Sequence, residues 1–272
     1  MEEVARAKVN LALHVRGRES DGYHRLETLF AFCEHGDLLS VREGQGLSLS
    51  VTGPFAKGLS PGEDNLVLRA ARSLAELYGI RSGAALLLDK RLPVASGIGG
   101  GSADAAAALR LLDRWWGIAA SGADLLPIAA TLGADVPACL LSRTVRGEGR
   151  GDRLEPIDIA DLAGTPILLV NPGVAVSTAE VFALWNGRDL GPLPEDFRAG
   201  RNDLEEPARR LAPEIADVLE ALAACEGATL IRMSGSGATC FALFEEADRR
   251  DAAAARLEDQ HPHWWQLASR LA

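Results

Sequence analysis

Residues 92–109 read LPVASGIGGGSADAAAAL, with four glycines in the five positions 97–101 directly ahead of Ser102, Asp104 and an alanine-rich run. Glycine lacks a Cβ, so the backbone can pass through positive φ and several N–H groups can converge on one anion. A helix starting there adds its own unpaired N–H groups and the positive end of its dipole. The stretch therefore suits a nucleotide phosphate held without side-chain charge. A glycine turn that only caps a helix is the competing reading, disfavoured by the entropy four glycines lose on ordering. Neither common glycine motif fits. A Walker loop ends in Gly-Lys-Ser/Thr, whereas Ser102 follows Gly101 directly and Lys90 lies upstream. A dinucleotide fingerprint needs a glycine where Ser102 stands.

Three further places carry reactive or recognising side chains. Residues 4–15 alternate, with Ala5, Ala7, Val9, Leu11, Leu13 and Val15 on one face, so Lys8 and Asn10 project together from the other face of a strand. A solvated lysine is the ordinary alternative there. Tyr23 and His24 follow the turn signal Asp21-Gly22, where they would either stack on and hydrogen-bond a planar ring or anchor the start of a strand. Asp135, two places before Pro137, is either a turn or cap residue or an acid lining a cleft.

The elements that must position these groups can be read from periodicity. Strands are expected at residues 26–32, 38–42 and 47–52, the last two forming a hairpin, and at 84–89, 166–171, 229–233 and 238–244. Helices are expected from an N-cap at Asp64 to Gly79, over 102–116 and 124–132, from a Ser177–Glu180 capping box through Trp185, over 207–224 and over 247–258. The polar, glycine-rich residues 147–153 are the best candidate for a boundary region.

The 272 residues, 47% hydrophobic and 24% charged, exclude disordered and fibrous classes. A formal net charge of −10 argues against generic binding to nucleic acid or anionic membrane, while leaving room for a local basic pocket. No stretch reaches the ~18 apolar residues of a membrane span and the N-terminus lacks the order of a signal peptide, so a cytoplasmic location is expected. Cys33, Cys139, Cys225 and Cys240 are widely spaced among apolar neighbours, the pattern of buried thiols rather than of disulfides or zinc ligands.

Taken together, the motifs resemble the GHMP kinases, small-metabolite kinases named for galactose, homoserine, mevalonate and phosphomevalonate, over almost the whole chain. Residues 93–103 look like that family's ATP loop, and Met233-Ser-Gly-Ser-Gly-Ala238 resembles its C-terminal glycine motif. Ala7-Lys-Val-Asn-Leu11, Asp21-Gly-Tyr-His24, Glu63-Asp-Asn-Leu66, Leu132-Gly-Ala-Asp-Val-Pro137, Asn171-Pro-Gly-Val174 and Asn202-Asp-Leu204 are similar, in order, to signatures of one branch of it. The resemblance implies an α+β, two-domain fold, residues 1–156 and 157–272, with the active site in the cleft between domains. It implies Lys8 and Asp135 as the catalytic pair. For ATP it implies Pro93, Val94, Ala95, Ser96, Gly97, Ile98, Gly99, Gly100, Gly101, Ser102 and Ala103, with Asn65 near the nucleotide, and Mg2+ as a second cofactor to which Ser102 is available. Asn10, Tyr23, His24, Thr178 and Phe182 would surround a small-molecule acceptor, a CDP-linked methylerythritol phosphorylated on its C2 hydroxyl for isoprenoid precursor synthesis. A family kinase for mevalonate or homoserine is the near alternative, and a nucleotide-binding regulator without catalysis the distant one. The loop departs from the usual Gly-Leu-Gly-Gly-Gly-Ser-Ser at Ile98 and Ala103, and Ala95-Ser96 stands where glycine is common. Ala103 cannot supply a second hydroxyl to a metal.

Overall fold

The computed structural model describes residues 1–272. The chain runs β1 (Glu2–Arg18), β2 (His24–Arg42), β3 (Leu47–Thr52), α1 (Leu66–Tyr78), β4 (Ala84–Asp89), α2 (Gly100–Trp116), α3 (Gly122–Leu132), α4 (Val136–Leu141), β5 (Val145–Gly149), β6 (Arg153–Pro156), β7 (Pro166–Asn171), α5 (Thr178–Ala183), α6 (Glu205–Leu211), α7 (Glu214–Ala223), β8 (Ala228–Met233), β9 (Cys240–Phe244), α8 (Ala247–Gln260) and β10 (Trp265–Arg270). These residues form two compact units. Unit 1 comprises Met1–Ala7, His35–Val94 and Gly99–Ser142, and unit 2 comprises Lys8–Glu34, Ala95–Ile98 and Arg143–Ala272. A division near residue 156 describes chain order, whereas these units follow proximity.

In unit 1, β4 lies between two partners: the C-terminal part of β2 runs antiparallel to it, Leu38 opposite Asp89, and β3 runs parallel, Leu47 opposite Ala84. The expected hairpin between residues 38–42 and 47–52 is therefore not formed, because β4 takes the place beside β2 that the hairpin partner would occupy. Helices α1, α3 and α4 pack on α2. The alanines of α2 explain how closely they do so: Ala103 and Ala105 to Ala108 are buried and present little side-chain bulk. The first cap of α1 is Asn65 rather than Asp64, with Asn65 Oδ1 accepting the Val67 N–H at 3.0 Å.

In unit 2, an antiparallel sheet has the order β10-β7-β9-β8. Leu13, Val15, Leu168, Val170, Ile215, Val218, Leu222, Phe244 and Leu257 make its core. The expected helix over 207–224 is broken into α6 and α7 at Pro213, which cannot continue the i→i−4 ladder. Residues 26–32 and 38–42, expected as separate strands, belong to the single strand β2. Gly36 permits this, since a Cβ there would lie 1.9 Å from the Ala5 carbonyl oxygen of β1. Residues 147–153 close the β5–β6 hairpin. The four cysteines are buried, and no helix is long and apolar enough to cross a membrane.

Candidate active site

Lys8 and Asn10 occupy β1, but their face is covered: they are 4% and 2% exposed, so the reading of a solvated strand lysine does not hold. Lys8 Nζ donates to Asn10 Oδ1 at 3.1 Å and lies 5.0 Å from the centroid of the Phe30 ring. Asn10 Nδ2 donates to Thr28 Oγ1 at 2.8 Å, and that hydroxyl donates to the Ala12 carbonyl at 2.7 Å. Every polar group in this chain of contacts has a defined orientation, which burial demands. Thr28, on the β2 strand beside β1, is a supporting residue that sequence spacing alone left unmarked.

The two glycine segments interlock within unit 2. Ser234 Oγ accepts the Asn10 backbone N–H at 3.1 Å and donates to the Gly97 carbonyl at 3.2 Å. The Ile98 carbonyl accepts the Lys8 N–H at 3.1 Å, and the Ser96 carbonyl accepts the Thr239 N–H at 3.2 Å. A Cβ on Gly97 would lie 2.6 Å from the Ser234 carbonyl oxygen, and one on Gly235 2.8 Å from the Gly97 carbonyl oxygen. Both glycines also hold positive φ, 79° and 57°. Only glycine allows backbones to approach so closely in that conformation. Asn202 Nδ2 fixes the second segment from behind, donating to the Met233 and Gly235 carbonyls at 2.7 and 2.8 Å. Ala95, where glycine is common in the family, is held at φ 52°, a left-handed conformation that burdens a side-chain-bearing residue.

In unit 1 the chain approaches through Pro93 and Val94 and re-enters at Gly99, which caps α2 at φ 63° with no side-chain capping bond. The amides of Gly100, Gly101 and Ser102 thus head a helix whose first turn no side chain serves, the arrangement that binds anions. Ser102 is half-buried, while Ala103 is buried among the packed helices. Asn65 is fixed at the start of α1 by its cap and by donating from Nδ2 to the Ser60 carbonyl at 2.9 Å. Leu66 Cδ1 would be 3.7 Å from a Cβ on Gly101, which brings this helix start beside the loop. Asp135 stands, half-buried, at the N-cap position of α4 and makes no side-chain capping bond.

The acceptor-side candidates gather in unit 2. The His24 ring centroid is 4.8 Å from that of Phe182 and 5.5 Å, edge-on, from that of Trp185, a neighbour the sequence did not single out. Burial, aided by the Arg18 charge, holds His24 below the ordinary imidazole value and so neutral. Thr178 Oγ1 and Ser236 Oγ share a hydrogen bond of 2.8 Å, which ties α5 to the second glycine segment. Tyr23 is 58% exposed, and the Arg150 guanidinium, ion-paired with Asp21, lies 3.7 Å from its ring centroid. One Tyr23 face is thereby covered by a cation.

Two family models match the chain: the GHMP kinases N terminal domain over residues 65–143 and the GHMP kinases C terminal domain over residues 186–263. The chain is 58% identical over 276 residues to 4-diphosphocytidyl-2-C-methyl-D-erythritol kinase of Rhizorhabdus wittichii, covering 99% of this chain and 94% of that protein. It is 50% identical to the protein of the same name from Parvibaculum lavamentivorans, with 97% and 95% covered. A crystal structure of 4-(cytidine 5'-diphospho)-2C-methyl-D-erythritol kinase superposes with a TM-score of 0.86 at 38% identity, covering 100% of this chain and 99% of that one. A homoserine kinase structure from Cytophaga hutchinsonii, 20% identical with a TM-score of 0.72, shares the fold. The chain belongs to the GHMP kinases.

Proposed function

We propose that this kinase transfers the γ-phosphoryl group of ATP to the C2 hydroxyl of 4-diphosphocytidyl-2-C-methyl-D-erythritol, a step in isoprenoid precursor synthesis. The observation that carries this reading is the buried network Lys8–Asn10–Ser234–Gly97, which joins an ammonium, the nucleotide loop and the second glycine segment through hydrogen bonds of 3.1 to 3.2 Å. Identity of 50–58% to relatives carrying that enzyme's name selects the substrate among those of the family.

In the reaction, the C2 oxygen attacks the γ-phosphorus as the bond to the β–γ bridging oxygen breaks, and ADP leaves. Asp135 accepts the hydroxyl proton as charge develops. The Lys8 ammonium stabilises charge on the transferring group. A tertiary alcohol is a hindered nucleophile, so holding it in line is most of the catalytic problem. Asn10 fixes the Lys8 ammonium, and residues 95–103 with Asn65 hold the nucleotide. Tyr23 and Phe182 supply aromatic faces for cytosine, neutral His24 hydrogen-bonds its edge, and Thr178 contacts the acceptor side.

The fit of magnesium is limited by the donors present. No group of three or more His, Cys, Asp or Glu side chains is arranged to hold a metal ion. The Ser102 hydroxyl would be the protein's contribution to holding an ion brought in with the nucleotide, and that ion would supply neutralisation of phosphate charge. The expected setting is the cytoplasm, where ATP is supplied.

The test is ADP release with 4-diphosphocytidyl-2-C-methyl-D-erythritol, mevalonate and homoserine in parallel. Turnover with the first alone is expected. Turnover with mevalonate or homoserine instead would assign another acceptor, and none with any of them, alongside ATP binding, would indicate a regulator.

A further inference from the structure

Beneath the first turn of α2 lies a buried charged cluster that the transfer reaction does not use. Lys90, at the end of β4 and 2% exposed, donates from Nζ to Asp37 Oδ2 at 2.5 Å and to Asp104 Oδ2 at 2.7 Å. The other oxygen of Asp37 accepts the N–H groups of Arg91 and Leu92 at 2.6 and 2.8 Å, the residues that lead into the loop. Asp104 is in α2 itself. A Cβ on Gly100 would lie 3.0 Å from Lys90 Nζ, so the ammonium sits directly under the helix's first residue. Asp104 Oδ1 is buried without a hydrogen-bond partner.

A stability role explains this cluster poorly. Burying three ionisable groups costs desolvation that offsets most of their mutual attraction, and apolar side chains of similar volume commonly serve a core as well or better. What the charges provide is position, because they join three separated segments at the root of the loop with directional bonds. Resting on the reading of residues 95–103 as the ATP loop, we propose that Lys90 is a positioning residue for nucleotide binding. Held by Asp37 and Asp104, it fixes the spacing between Arg91–Leu92 and the start of α2, and with it the aim of the Gly100, Gly101 and Ser102 amides at the phosphates.

The test uses the full chain and a non-hydrolysable ATP analogue with magnesium, together with KM values for both substrates and circular dichroism. Lys90→Met is expected to raise the analogue's dissociation constant and the KM for ATP about tenfold or more while moving the acceptor KM less than about twofold. Lys90→Arg should recover part of the loss. Asp104→Ala leaves Lys90 held by Asp37 alone and should raise the same two values while leaving the acceptor KM nearly unchanged. It decides the matter if Lys90→Met does not fold. Equal changes in both KM values, or unaltered analogue binding in Lys90→Met or in Asp104→Ala, would overturn the inference. Failure of the unmodified chain to bind the analogue would overturn the ATP-loop reading first, and this inference with it.

Discussion

Asp135 and Lys8 are residues whose surroundings set them apart from their neighbours. An aspartate at a helix N-cap ordinarily accepts an N–H of the first turn, and Asp135 does not. A lysine on a strand is ordinarily exposed, and Lys8 is 4% exposed. If Asp135 takes the hydroxyl proton, Asp135→Asn should lower kcat about 100-fold or more with little change in the KM for ATP, in steady-state assays. Near-normal turnover would remove it as the base. The role proposed for Tyr23 is stacking of its ring on the cytosine of the acceptor. Tyr23→Ala should raise the KM for the CDP-linked substrate about tenfold while leaving that for ATP nearly unchanged, and equal effects would argue against stacking. Arg150 bears on the same measurement. Removing Tyr23 also strips the Arg150–Asp21 pair of its platform, so Arg150→Ala is the control that separates lost stacking from a loosened loop.

At the scale of elements, residues 187–201 are held to β1 by His14. This fully buried imidazole accepts the Arg201 N–H on Nε2 at 3.1 Å, so Nδ1 carries the proton and donates to the Gly191 carbonyl at 3.1 Å. Burial holds its pKa below the ordinary 6.5, against the pull of the Gly191 carbonyl and the charges of Asp203 and Glu27 and with the push of Arg201. The native state therefore binds fewer protons here than the unfolded chain. Stability from this group is present above 6.5 and is lost as pH falls through that value toward the folded one. Glu27, held low from 4.5 by the Leu193 N–H, Arg16 and Arg146 against its own burial, loses its contribution only at more acid pH. Asp104 acts in the opposite sense, losing stability as pH rises toward about 8. The difference between the unmodified chain and His14→Asn in urea midpoint, followed from pH 7.5 to 5.5, isolates the histidine. It should narrow toward acid pH, and a constant difference would dismiss it.

Most elements near the site were legible because each carries a local signal. The alternation in β1 put Lys8 and Asn10 on one face, the glycines announced the loop, and Ser177 with Glu180 marked the start of α5. What was not legible depends on pairing partners distant in sequence. Nothing local tells β3 to pair parallel with β4 instead of turning back on β2, or joins residues 26–32 and 38–42 into one strand. The same holds for Lys90. Its ion pairs reach 53 residues back to Asp37 and 14 forward to Asp104, so only an aspartate embedded in the alanine-rich helix hinted at them. Thr28 and Trp185 have ordinary local contexts, and their roles come from what folds against them.

For the whole molecule, the two family models follow each other along the chain, yet the compact units do not. Unit 2 takes its first strands from residues 8–34 and the rest from beyond residue 142. Leu13 and Val15 of β1 lie in the same core as Ile215, Leu222 and Phe244. The buried Arg232 guanidinium donates to the Leu11 carbonyl, Asp203 Oδ2 accepts the Val15 N–H at 2.8 Å, and the Asp203 N–H donates to the Leu13 carbonyl at 2.9 Å. A fragment of residues 157–272 keeps the sheet β10-β7-β9-β8 but exposes the core face that β1 covers. It also removes the Leu11 carbonyl from Arg232, which keeps the Phe197, Arg198 and Gly200 carbonyls, so one hydrogen bond to a charged donor, worth about 1.5–3 kcal/mol, is lost. That is a large fraction of the ~5–15 kcal/mol that holds a domain folded. The fragment should therefore show no cooperative thermal transition and should bind a hydrophobic dye. Adding residues 1–34 as a separate peptide should restore part of the transition by mass action. A sharp calorimetric transition from the fragment alone would show that β1 is dispensable to this core.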